Sequence, residues 1–212
     1  MTFQFKIQIK NIKKPVVWRK ILVPAQTTFV MFHHIIQEAL GWDDIHMYAF
    51  SPSGYGTKPW IVEDDDEDAN LPTFEDSTSA NTTLLSDIFK KKGQTFTYIY
   101  DYGDDWIHTI TLEEIDKLNI APSAKLLAGE GACPPEDCGG PGGYQYFKEV
   151  ISDQTHPEYQ YYKEWLIDDE EMMKFYKEGE PIWDPNEFDL DFEKEWFDNM
   201  YKSIYLEMNE DE

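Results

Sequence analysis

Phe3, Phe5, Ile7 and Ile9 alternate with Gln4, Lys6, Gln8 and Lys10. Period-two alternation of this kind makes a strand with one apolar and one polar face, and the apolar face has to be covered. Pro15 breaks the strand, and Ile21 to Val23 reads as its short antiparallel return, closed by Pro24. A helix follows. Thr28 suits its N-cap, Gly41 its end, and Phe29, Phe32, Ile36, Ala39 and Leu40 fall at helical spacing as the face that covers the strands. HMYAF (46–50) reads as a third strand. The order is then a grasp-like β-β-α-β start, an α+β signature.

Beyond it, SPSGYGTKPW is turn-rich, and residues 63–81 are first acidic and then Ser/Thr-rich, which predicts a surface loop. Thr83 to Lys90 can form a short helix. TFTYIYD (95–101) and WIHTITLEEI (106–115) are strand-like and flank a tight YGDD turn, a β-hairpin pattern. KLLA (125–128) is one more strand. GEGACPPEDCGGPGG carries Gly or Pro at nine of fifteen positions and reads as irregular. Residues 142–206 are mostly helical: Tyr144 to Ser152, Pro157 to Leu166, and a last helix with Phe192, Trp196, Met200 and Ile204 at spacings of four and Phe197, Tyr201 and Tyr205 beside them, a wide apolar face expected to pack on the sheet. The whole chain, 1–212, is expected to form one domain.

Charge excludes more than it identifies. The net charge is −24, from 42 acidic and 18 basic residues, and Arg19 is the only arginine. Glu63 to Asp68 is an unbroken run of carboxylates, and seventeen acids against four lysines lie after Leu166. Such a field repels phosphate backbones and anionic membranes, so no direct nucleic-acid or membrane partner is expected. One guanidinium cannot build the arginine clamps of phosphoryl-transfer sites. No signal peptide and no apolar stretch of membrane-spanning length is visible, which points to the cytoplasm, where cysteines stay reduced.

The hairpin YDYGDDWIH and the loop ACPPEDC together offer the most suggestive surface: Arg19, Asp101, Asp104, Asp105, Trp106, His108 and Glu136. Crowded carboxylates raise one another's pKa unless a cation or hydrogen-bond donors intervene. The alternative is that they cap backbone amides. Arg19 reads as an ion-pair partner, stacked on an aromatic ring, or as an anion-ligand contact. Cys133 and Cys138 can hold a soft metal such as zinc with His46 and His108, with His33 or His34 as other choices; they can pair locally, or pack as small hydrophobes. His33 and His34 point about 100° apart, one to the core edge and one to solvent. His46 reads as a sheet-surface residue bonded to Asp43 or Asp44, or as a metal ligand paired with His108.

Four motifs in order, PVVWRKI (15–21), HHIIQEALGW (33–42), YDYGDDWIH (100–108) and GEGACPPEDCGGPGGY (129–144), resemble the plasmid pRi ORF-three-like family. Its members are also met as transposon passenger proteins, some with a resolvase-like label. The resemblance spans roughly residues 3 to 200, the 63–81 loop excepted. It implies an α+β domain with a curved mixed sheet, and no catalytic residues. A chain with Arg19 alone lacks the arginines that recombinase chemistry needs. Three functions are therefore weighed: a non-enzymatic protein-interaction module of mobile elements with a protein partner, a basic one among the candidates; a metal-dependent, hydrolase-like enzyme using a divalent ion on the Asp/His/Cys surface; and a DNA mimic.

Overall fold

The structure is a computed structural model describing residues 1–63, 77–119, 121, 123–168, 176–177, 180–181 and 183–210. Strands β1 (Thr2–Ile9) and β2 (Trp18–Pro24) form the opening hairpin, with Phe5 opposite Ile21. Helix α1 (Phe29–Leu40) follows, then β3 (Tyr48–Ser51), β4 (Trp60–Val62) and β5 (Ser77–Ser79). The single-turn α2 (Leu85–Ile88) leads to the hairpin β6 (Thr95–Tyr100) and β7 (Trp106–Asp116), and β8 (Lys125–Glu130) completes the sheet. Helices α3 (Gly140–Ser152) and α4 (Tyr159–Asp168), the two-residue strands β9 (Tyr176–Lys177) and β10 (Glu180–Pro181), and α5 (Leu190–Glu210) make up the rest.

The eight strands form one open mixed sheet in the order β5-β4-β3-β6-β7-β1-β2-β8. The pairings are antiparallel except β4 with β5. Thr28 caps α1 through its hydroxyl, which accepts from the Met31 amide at 3.4 Å, and Gly41 ends it in the left-handed region (φ 79°). The apolar face of β1 lies under this helix: the rings of Phe5 and Phe32 are 5.0 Å apart, and those of Phe29 and Phe50 4.9 Å. Each such phenylalanine contributes roughly 2–3 kcal/mol by burial. The opposite face of β1, β2 and β7 stays polar, with Lys20 paired to Glu113 at 2.8 Å and Gln4 donating to Glu113 at 3.1 Å.

Several expectations shift. The third strand begins at Tyr48, two residues late, because residues 43–46 are engaged in loop contacts instead. Trp60–Val62 and Ser77–Ser79 are strands inside segments read as turn and loop. Both are too short to show alternation and are held by edge pairing. Residues 64–76 of the predicted loop lie outside the described residues. α3 starts at Gly140, within the stretch read as irregular, because its first amides are capped from a distant turn. On α5, Phe197 and Tyr201 are the buried row, whereas Phe192 is 44% exposed. The helix lies against β8 and α1.

Among the described residues Arg19 makes neither an ion pair nor a surface contact. It is 1% exposed, and its guanidinium donates to the carbonyls of Ala39 (2.9 Å), Trp18 (3.1 Å), Glu130 (3.2 Å) and Gly131 (2.9 Å). Phe188 lies over it at 4.3 Å. The fork ties the end of α1 to β2 and to the chain leaving β8, where free carbonyls would otherwise be buried. The expected aromatic stacking is there; the expected carboxylate is not, among the described residues.

Candidate functional site

The register of the sheet decides which loops meet. Tyr48 at the start of β3 faces Tyr100 at the end of β6, and Tyr100 faces Trp106 at the start of β7. The 41–47 loop and the β6–β7 turn therefore share one end of the sheet. β8 finishes at that end too, since Glu130 faces Trp18. The chain leaving β8 crosses towards the turn, where Asp104 Oδ2 accepts from the Gly139 and Gly140 amides at 3.0 and 2.8 Å. A carboxylate at a helix N-terminus satisfies orphan amides and complements the helix dipole. Gly140 is obligatory: its φ is 65°, and a Cβ would lie 2.2 Å from the Asp104 carbonyl oxygen.

Three segments, 41–47, 101–105 and 132–138, thus converge over an aromatic floor. Trp42 is its centre, stacked on Tyr100 at 5.2 Å, tilted against Trp106 at 5.5 Å and edge-on to His108 at 5.4 Å. Its indole donates to the Pro134 carbonyl at 2.9 Å. Above this floor, Glu136 ties the loops together: Tyr100 donates its hydroxyl to one carboxylate oxygen and the Asp43 amide donates to the other, each at 2.5 Å. The amides of Ile45 and His46 in turn donate to Tyr100 Oη, at 3.1 and 3.3 Å. Burial and the neighbouring Asp43 raise the Glu136 carboxyl above its usual range against these hydrogen bonds.

His46 Nε2 lies 3.0 Å from Asp137 Oδ1 and 3.9 Å from Asp101 Oδ2. Asp101 Oδ1 meanwhile accepts from the Gly103 amide at 2.8 Å, closing the turn. A second group lies on the other flank of the 41–47 loop. His33 Nε2 meets Asp44 Oδ1, and His34 Nδ1 meets Asp44 Oδ2 at 2.7 Å. Burial favours loss of charge on Asp44, but the two imidazoles outweigh it and hold the carboxyl down at about 2. Asp44, Asp101, Asp105 and Asp137 all have positive φ, between 54° and 58°, a conformation that aspartate tolerates better than most residues and that aims these side chains.

Of the residues singled out from sequence, Asp101, Asp104 and Glu136 belong to this face. Asp105 stands at its edge, accepting from the Tyr55 hydroxyl. Trp106, His108 and Arg19 lie beneath it, each no more than 1% exposed. Cys133 and Cys138 are not joined in a disulfide and lie in the core, and burial pushes the Cys138 thiol up. Among the described residues, the donors that converge are His33/His34/Asp44 and His46/Asp101/Asp137. The set Cys133, Cys138, His46 and His108 does not. Strand alternation sends His108 into the core, with Trp42 on its outer side, and the two thiols pack as hydrophobes. His46 bonds Asp137 rather than Asp43 or Asp44. The roles of Tyr100, Tyr55 and Asp137 are not legible in the sequence because they come from pairing across the sheet; the adjacent acids ED (136–137) are the visible signal.

The family model described as Plasmid pRiA4b ORF-3-like protein matches residues 1–192. The uncharacterized protein y4hQ of Sinorhizobium fredii (strain NBRC 101917 / NGR234) is 32% identical over 164 residues, 76% of this chain and 79% of its own length. The crystal structure of a protein of unknown function, MM3350 from Methanosarcina mazei Go1, superposes with a TM-score of 0.69 at 29% identity, covering 90% of this chain and 96% of that one.

Proposed function

The chain belongs to the plasmid pRiA4b ORF-3-like family, and from its site we propose that the three-loop face is a divalent-metal site serving hydrolase-like chemistry. One observation carries this reading: a ligand atom from each of His46, Asp101 and Asp137 lies within 4.8 Å of the others, although the residues come from three separate segments. One imidazole and two carboxylates suit zinc or manganese, and three protein ligands leave positions for water. A bound ion would supply an activated water. Glu136, coupled electrostatically to His46 and with its carboxyl raised, is the neighbouring group suited to taking a proton.

Metal analysis of protein purified without chelator, together with thermal shifts in zinc, manganese and magnesium, tests it. Saturation to about 100 times Kd stabilises by about 2.7 kcal/mol, a rise of roughly 5–10 °C for a chain of this size. His46→Ala and Asp137→Asn should abolish the rise. Folded protein that retains no ion and shifts with none of the three overturns the reading.

A second reading, a protein-interaction module, draws on the apolar residues beside the same loops: Ile45 is 63% exposed, Met47 43% and Tyr55 51%. Set among carboxylates, they suit a basic partner with an apolar patch. A partner recovered in stoichiometric amount from the host, and lost with Ile45→Asp, would favour this reading.

A further inference from the structure

We propose that His33, His34 and Asp44 form a second metal site, of the zinc class, that fixes the loop carrying His46. The site shares no ligand with the His46 corner and does not depend on it. It is built as a relay running outwards from the core. Gln37 Nε2 donates to Tyr98 Oη at 2.6 Å, Tyr98 Oη lies 2.7 Å from His33 Nδ1, and His33 Nε2 meets Asp44. His33 is 1% exposed and its ring stacks on Tyr48 at 3.6 Å and 8°, so its orientation is fixed.

The hydrogen-bond directions are determined by the ends. An amide nitrogen only donates and an ionised carboxylate only accepts. Tyr98 therefore donates to His33 Nδ1, and the imidazole proton sits on Nε2, facing Asp44. For Nε2 to bind an ion, that proton must move to Nδ1 and be donated to Tyr98, whose own proton then needs a new acceptor. Gln37 Oε1 is buried and has no hydrogen-bond partner. Turning the Gln37 amide over presents this oxygen to the Tyr98 hydroxyl, and the relay reverses with no proton lost. An inner ring nitrogen anchored by a hydrogen-bonding partner is what ligating histidines require. His34, partly exposed, brings Nδ1 to the other oxygen of the same carboxylate at 2.7 Å, so that a ligand atom from each of the three residues lies within 4.8 Å of the others.

Two imidazoles and one carboxylate prefer ions of the zinc and cobalt type, whereas the oxygen-rich His46 corner also suits manganese. An ion here would pin Asp44. The following amides of Ile45 and His46 are those bound by Tyr100, and the preceding Asp43 amide is bound by Glu136. Its effect is thus to hold His46 in place.

The test is Co2+ titration of the full chain after chelator treatment, read by visible d–d absorption and stoichiometry, with zinc competition. The expected result is one equivalent weakened at least about 100-fold by His34→Ala and by Asp44→Asn but retained in His46→Ala, because even partners of a ligand typically carry 10–100-fold in affinity. Tyr98→Phe should weaken the same equivalent about 10–100-fold. Binding unchanged in His34→Ala and Asp44→Asn, binding lost only in His46→Ala, or no binding to the wild type overturns the proposal. Failure of the His46 corner alone would appear as a His46→Ala variant that matches the wild type.

Discussion

His108 gives the sharpest test of how the site is supported. It is fully buried, and burial drives its pKa from 6.5 to about 3, with only weak backbone contacts at Tyr98 and Trp106 working the other way. Because the folded-state value lies below the unfolded one, folding favours the neutral ring. The stability this residue permits is complete above pH 6.5 and is lost as the pH falls towards 3, when the unfolded chain takes up a proton that the folded chain refuses. The slope is about 1.4 kcal/mol per pH unit, so between about pH 7 and about pH 4.5 the wild type should lose about 2.5 kcal/mol through this group alone. His108→Phe and His108→Leu remove the term. Either variant should lie within about 1 kcal/mol of the wild type at neutral pH, where removing a poorly satisfied buried imidazole offsets imperfect packing. At about pH 4.5 the balance should have moved in the variant's favour by about 2.5 kcal/mol, leaving it the more stable protein. Urea unfolding at both values measures this, and every other titrating group, His33 included, cancels in the comparison. A wild type and variants that weaken in parallel on acidification would show that His108 accepts a proton in place, and the sealed aromatic floor would be wrong.

Two further perturbations probe the loops. Asp104→Ala removes the cap on α3 and should cost about 1–2 kcal/mol, seen as a fall in the urea midpoint, while Asp105→Asn, which alters the contact with the Tyr55 hydroxyl, should stay within about 0.5 kcal/mol. Gly143→Ala would set a Cβ 1.8 Å from the Cys138 carbonyl oxygen and should destabilise by more than about 3 kcal/mol or prevent folding, whereas Gly142→Ala one residue earlier meets nothing within 4 Å and should leave the midpoint equal or higher, by up to about 1 kcal/mol.

The fold was legible wherever the information is local. The alternation of β1, the Thr28 cap and Gly41 end of α1, and the β6–β7 hairpin each carry their signal within a few residues, and each is found close to its expected bounds. What was not legible depends on partners distant in sequence. β4 and β5 are three residues each and exist because an edge accepts them. α3 begins in a glycine- and proline-rich run because Asp104, some three dozen positions upstream, supplies its first acceptor. On the last helix the expected apolar face was wide, and only the contacts with β8 and α1 decide that Phe197 and Tyr201 are its buried part while Phe192 stays exposed.

The same contrast explains the site. Sequence identified the hairpin and the ACPPEDC loop as the place to look, and they do meet, but spacing alone cannot separate the residues of a surface from those of its support. Trp106 and His108 alternate correctly and lie on one side of β7; the side is the inner one. Arg19, which charge arguments offered to anions or carboxylates, is consumed by four carbonyls. Removing these three from the surface leaves it composed of carboxylates and two separate imidazole groups, with no cation of its own among the residues that meet there. Repulsion among such carboxylates has to be offset by donors. Asp104 finds them in the α3 amides and Glu136 in Tyr100 and Asp43, whereas for Asp137 and the outer oxygen of Asp101 the partner among the described residues is His46. The divalent ion proposed between those three would meet the remaining electrostatic demand, which is why metal content of the untreated protein is the measurement to make first.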